Sequence, residues 1–248
     1  MTFPSLYSSL SYTIFIAVVL FSACQSDPKT VSTSPKEVPN MTAGEKLYAH
    51  YYVRYLADEK KMKAEASFFI GAGKQKRNPK TFNEVSLGGK GMHLDNTSKA
   101  SPYYKLEQNE SPTNKGKFQF ISKQGTKEED LISIPTLKSI SFGKQLSRSK
   151  NGLLSWKGEP LGDKESLVLL FTNEQERTTS TVINGPSEKS ELSIPLEKLQ
   201  KIGLGGNRVY IVRKSRAIEN KRGSDGMPRE VRVLTEFYSE TMELEVVE

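Results

Sequence analysis

From Leu47 to Leu56 the sequence LYAHYYVRYL alternates with a period of two. Leu47, Ala49, Tyr51, Val53 and Tyr55 fall on one side of an extended chain, with Tyr48, His50, Tyr52, Arg54 and Leu56 on the other. Successive side chains of a strand point to opposite faces, so this pattern predicts a strand with one face in a core and the other half exposed. Beyond the charged turn Asp58-Glu59-Lys60, Met62, Ala64, Ala66 and Phe68 resume the alternation, and the two segments read as a long hairpin. The good helix formers between Asp58 and Ala66 supply the competing reading. Further strands are expected at 84–87, 91–94, 103–107, 117–121 and 130–134, each bounded by Gly-, Pro-, Asn- or Ser-rich punctuation. After Pro135 the pattern repeats at 137–142, 152–156, 166–172, 180–183, 191–194, 208–212, 231–235 and 241–247. One helix is expected, at 195–202, with Pro195 at its start, Leu196, Leu199 and Ile202 on one stripe, and Gly203 as terminator. Short, evenly spaced strands predict an all-β protein of two tandem antiparallel β-sandwich domains, 44–135 and 136–248.

Composition narrows the chemistry. At 35% hydrophobic and 9% aromatic residues among 248, the chain is able to build a core, which excludes a globally disordered or collagen-like protein. A single Cys excludes an internal disulfide framework and a thiolate zinc cluster, and two His leave little for a multi-His metal site or a His-dependent triad. No metal, cofactor or catalytic residue is expected.

Residues 1–23 carry no charge and contain the apolar run Ile14 to Phe21, too short to span a bilayer but of the length of a secretory h-region. The following residues, Leu20-Phe21-Ser22-Ala23-Cys24, resemble the lipobox of bacterial lipoprotein signal peptides. The resemblance implies that residues 1–23 are removed, that Cys24 is lipidated, and that the protein is anchored in the cell envelope, at the outer membrane. Residues 24–43, rich in Pro, Ser and Thr, would then form a flexible tether. Later segments, LLSWKG, ESLVLLFTN, SELSIPLEKLQKIG and RVYIVRKS, resemble the C-terminal immunoglobulin-like domain of Bacteroidota surface lipoproteins. That likeness implies a fold, with Trp156 as the buried indole, and an address, but no catalytic residues.

Two groups of side chains are candidates for binding. Lys201 to Arg232 holds nine basic residues against Glu219, Asp225 and Glu230. Within it Arg208, Arg213, Lys214, Arg216, Lys221 and Arg222 are expected to form an anion-binding surface, suited to an acidic polymer and carrying no specific nucleic-acid motif. A second basic run, Gly73 to Lys80, is expected at a hairpin tip. Tyr48, Tyr52, Tyr103 and Tyr104 are candidate contacts for a sugar or a protein. The carboxylate groups Glu128-Glu129-Asp130 and Asp163 with Glu165 leave open a glycan hydrolase, which would need two of them at catalytic separation. Gly88-Gly89-Lys90-Gly91 lacks phosphate-loop spacing and reads as a β-turn. The leading expectation is a non-catalytic, lipid-anchored envelope protein that binds a glycan or an envelope protein, with the hydrolase and the polyanion binder as alternatives.

Overall fold

The computed structural model describes residues 44–72, 77–97, 101–111, 113–122, 125–143 and 145–248. The expected leader, Cys24, the tether, and Lys74 and Lys76 of the basic run lie outside the described residues. The chain opens with the expected hairpin, β1 (Glu45–Leu56) and β2 (Lys61–Ala72), paired from Glu45↔Ala72 to Leu56↔Lys61. Seven short strands follow: β3 (Asn78–Pro79), β4 (Glu84–Leu87), β5 (Lys90–Gly91), β6 (His93–Asp95), β7 (Tyr103–Gln108), β8 (Lys115–Ile121) and β9 (Lys127–Ser133). The second half contains β10 (Lys138–Ser141), β11 (Leu146–Ser147), β12 (Gly152–Lys157), β13 (Glu165–Asn173), β14 (Thr178–Asn184), β15 (Glu191–Ile194), the single helical turn α1 (Leu196–Leu199), β16 (Gly205–Arg222), β17 (Pro228–Tyr238) and β18 (Met242–Val247). The protein is all-β. The turn between β4 and β5 uses Gly88 and Gly89 at φ of +59° and +81°, a conformation that side chains with a Cβ rarely adopt.

Three sheets make the layers. The largest runs β11-β18-β16-β17-β1-β2-β7-β6, with β13 and β14 branching from β16, and β3 beside β2. A four-stranded sheet, β5-β4-β8-β9, and a three-stranded sheet, β10-β12-β15, supply the other two layers. In the first half the odd-numbered residues of β1 and the even-numbered residues of β2 turn inward, as their alternation requires. Tyr51 stacks on Phe118 at 4.1 Å, and Phe68, Phe82 and Phe120 lie edge to face or tilted at 4.5–4.9 Å. In the second half Leu154, Trp156, Leu167, Leu169, Phe171 and Ile211 are buried, and Trp156 donates its indole N–H to the carbonyl of Glu159 at 2.9 Å.

The division expected at Pro135 does not separate two independent sheets. β1 pairs in parallel with β17 over ten residues, Leu47↔Arg229 to Leu56↔Tyr238, so a strand from the end of the chain completes the first layer. β16 joins the two halves. Its first part, 207–215, pairs with β13 on one side, and its last part, 212–222, pairs with β17 on the other. Residues 41–248 accordingly form one compact unit with a continuous core.

Candidate functional site

The face of the large sheet turned away from the aromatic core carries the even-numbered residues of β1. Register places their neighbours. His50 stands between Arg232 of β17 and Ser67 of β2, and Tyr52 between Leu234 and Glu65. Across β17, Ile218 pairs with Arg232 and Arg216 with Leu234. Tyr103, which opens β7, adds a further ring at the same level. These side chains line an open groove of about 400 Å³, within the ~300–1,000 Å³ of small-molecule sites.

Its polar groups are held from below and from the sides. The Tyr52 hydroxyl donates to Glu236 Oε2 at 2.7 Å, which also accepts from Tyr238 at 2.9 Å, while Lys214 pairs with the other carboxylate oxygen at 2.9 Å. Burial, together with the bond to the Glu236 carboxylate, raises the Tyr52 phenol above its ordinary value. Arg232 donates to Glu230 Oε1 at 2.7 Å, and Lys46 takes the other oxygen of that carboxylate at 2.9 Å. Burial lowers the pKa of His50, and the Arg232 and Arg77 cations lower it further, against a smaller opposing effect of Glu230. The imidazole, with a tilted Phe69 ring at 5.5 Å, is therefore neutral near pH 7. Arg77 itself covers the ring of Tyr48 at 3.7 Å.

The expected site residues separate under this geometry. Tyr52 and Tyr103 line the groove, whereas Tyr48 is buried beside it under Arg77. Tyr104 belongs to the opposite face: it is buried in the core, and its hydroxyl lies 2.7 Å from both the backbone N–H and the carbonyl of Phe82. It is thus a core residue and offers no ring to a ligand. The six basic residues do not form one surface, because most are engaged by groups distant in sequence. Arg213 is only 2% exposed; its guanidinium donates to the carbonyls of Thr136, Glu159 and Pro160 and to Glu165 Oε2 at 2.5 Å. Arg208 forks onto Glu176 at 2.6 and 2.7 Å, Lys214 holds Glu236, Lys221 pairs with Asp130, and Arg222 reaches the turn carbonyl of Gly226 at 3.3 Å. Arg216 is exposed and enters the groove.

The carboxylate groups are also engaged. Asp130, 1% exposed, accepts from Tyr51 at 2.5 Å and from Arg229 at 2.6 Å, and Glu128 accepts from the other guanidinium nitrogen of Arg229 at 2.6 Å and from the backbone of Ser224. Glu165 is held by Arg213 and by the Gly162 N–H. Among the described residues no three metal-ligating side chains converge. Sequence reasoning missed Arg232, Glu65, Ile218 and Leu234 as groove residues. Alternation alone indicated the outward side of β1, but only the parallel pairing with β17 brings Arg232 to His50.

Fold and groove together define a β-sandwich protein with an open, aromatic and charged trough on a sheet face. No protein-family model matches the sequence, and comparison with curated proteins finds no match. Among solved structures the chain is similar to dimeric latent PorU from Porphyromonas gingivalis, at 10% identity and a TM-score of 0.28 over 86% of this chain and 21% of that one. It is also similar to SGBP-B of the Bacteroides ovatus mixed-linkage glucan utilization locus, solved with a mixed-linkage heptasaccharide, at 8% identity and a TM-score of 0.22 over 81% of this chain and 60% of that one. The chain thus spans about a fifth and three fifths of those two proteins.

Proposed function

We propose that the protein is a non-catalytic glycan-binding protein of the cell envelope, held to the outer membrane by a lipid on Cys24, with the groove over β1 and β17 as its sugar site. The observation that carries this reading is the groove itself: an open trough in which Tyr52, Tyr103 and His50 offer ring surfaces, and Arg216 and Glu65 offer hydrogen-bonding groups that no other side chain among the described residues engages. Sugar rings present apolar C–H faces and polar edges, which call for this combination of aromatic surface and flanking polar groups. The engagement of Glu128, Asp130 and Glu165 in ion pairs supports binding without hydrolysis.

Titration with soluble oligosaccharides of several linkage types, followed by calorimetry, tests the site. Tyr103→Ala is expected to weaken sugar binding about tenfold while leaving the unfolding midpoint nearly unchanged. Undiminished binding in both Tyr103→Ala and Tyr52→Phe/Tyr103→Ala would remove the groove from consideration, and release of new reducing ends would remove the non-catalytic reading. Cys24→Ala is expected to move the protein from the membrane to the soluble fraction; retention on the membrane without lipid would overturn the anchor.

A further inference from the structure

The two ends of the groove differ in charge. On the β16/β17 side stand Arg216 and Arg232, diagonal neighbours on the same face because Ile218, two residues after Arg216, is the partner of Arg232. Arg216 forms no ion pair among the described residues. Arg232 shares its one acid, Glu230, with Lys46. Arg216's other diagonal neighbour, Glu236, is already held by Lys214, and Glu230 is shared by Arg232 and Lys46, so the Arg216 guanidinium is the corner's uncompensated charge among the described residues. At the other side, across Tyr52, the acid lining the groove is Glu65, which has no ion-pair partner among the described residues.

We infer that the groove takes an anionic sugar, a uronic acid residue of an acidic polysaccharide, with its carboxylate at the Arg216 and Arg232 corner, its ring over Tyr52, and a hydroxyl donating to Glu65. This deepens the glycan-binding reading and rests on it. A guanidinium is planar and presents paired N–H groups that match the two oxygens of a carboxylate, and its charge cannot be titrated away under physiological conditions. Glu65 at the far end accepts hydrogen bonds and repels a second anion, so the groove distinguishes the carboxylate end of a sugar from its hydroxyl end. Burial is the main cause of the lowered His50 pKa, and Arg232 and Arg77 add to it. Ile218, more than half exposed beside Arg232, gives the corner an apolar edge. The six-residue basic surface expected from sequence is thereby reduced to one of its members, Arg216, joined by Arg232.

A sulfate ester would meet the same two guanidinium groups, so the test separates the sources. The full chain carrying Cys24→Ala is titrated with oligogalacturonate, with its methyl ester, which keeps the ring and loses the charge, and with a sulfated galactan of similar length. Oligogalacturonate is expected to bind about tenfold or more tighter than the methyl ester, and Arg216→Gln and Arg232→Gln each to abolish most of that preference by weakening oligogalacturonate far more than the methyl ester. Added salt should narrow the preference in the parent protein and not in the variants. Equal affinity for acid and ester, or a preference that survives both substitutions, overturns the inference while leaving glycan binding in place. Tighter binding of the sulfated galactan overturns the assignment to a carboxylate. Failure of all three to bind, alongside failure of neutral oligosaccharides, removes the glycan reading together with this one.

Discussion

Arg213 and the Asp130–Arg229 pair show how single charged residues are used inside this protein. Burying a charge is costly unless it is paired and hydrogen bonded, and here each is paired by groups from separate parts of the chain, although Nε of Arg213 and of Arg229 finds no hydrogen-bond partner among the described residues. Arg213 ties the β16 strand to the connection at Thr136, to the loop carrying Glu159 and Pro160, and to Glu165 at the start of β13. Arg213→Ala is expected to lower stability by about 3–5 kcal/mol, because Glu165 and three carbonyls lose their donor together; denaturant titration of the variant measures it. Tyr51→Phe deletes one hydroxyl from the Asp130 cluster and is expected to cost about 1–3 kcal/mol by the same assay. Glu236 sets an acid limit. Burial by itself would raise its pKa, but the Lys214 ammonium and the hydroxyls of Tyr52 and Tyr238 outweigh burial and hold it below 4.5, with Arg54 also nearby on β1. A carboxylate depressed in the folded state contributes stability that is full above its unfolded pKa and is lost as pH falls through the folded value. Unfolding free energy should therefore decline as pH falls below the ordinary glutamate value, and Glu236→Gln should flatten that decline while costing stability at neutral pH.

At the scale of elements, strands whose burial alternates were legible in the sequence. β4 and β15 coincide with the expected 84–87 and 191–194, and β1, β2, β8 and β13 lie within a few residues of expectation, because apolar residues spaced by two are sufficient to identify them. The eighteen-residue β16 was legible only in its first part. From Ser215 onward the sequence SRAIENKR reads as a loop, since it contains just Ala217 and Ile218 as apolar residues. It is extended because β17 supplies a ladder on one side, and among the described residues no strand pairs 216–222 on the other. The charged residues Arg216, Glu219, Lys221 and Arg222 suit such an edge, where they discourage pairing with a second chain. The parallel contact of β1 with β17 joins residues more than 180 apart, and no local pattern encodes it. Half of the groove was hidden for the same reason. Packing around α1 yields a further test. A Cβ on Gly152 would lie 2.8 Å from Leu146 Cδ2 and 3.3 Å from Leu199 Cδ1. Gly152→Ala is expected to destabilise by about 1–3 kcal/mol through overpacking of this junction, detectable as a lowered unfolding midpoint.

For the whole molecule, the shared strands decide how it unfolds. Two domains linked end to end would respond independently to a cavity in one of them. Here the hairpin β16/β17 belongs to both layers of structure: β17 completes the sheet that covers Phe118, and β16 continues into the core beside Leu167, Leu169 and Phe171. Trp156, the one tryptophan, is buried in the second half and reports on it alone. Phe118, fully buried in the first half, stacks on Tyr51. Phe118→Ala should remove about 3–5 kcal/mol from the first half. Because β1 holds β17 and β17 holds β16, that loss is expected to reach Trp156, so that the fluorescence transition and the far-ultraviolet circular dichroism transition move together to lower denaturant. A Trp156 transition that stays at its original midpoint while the dichroism signal splits into two would show that the halves unfold separately. A chain limited to residues 136–248 makes the complementary case. It leaves Val231, Val233 and Phe237 on a strand without β1, exposing a long apolar edge, and is expected to lack a cooperative transition and to aggregate.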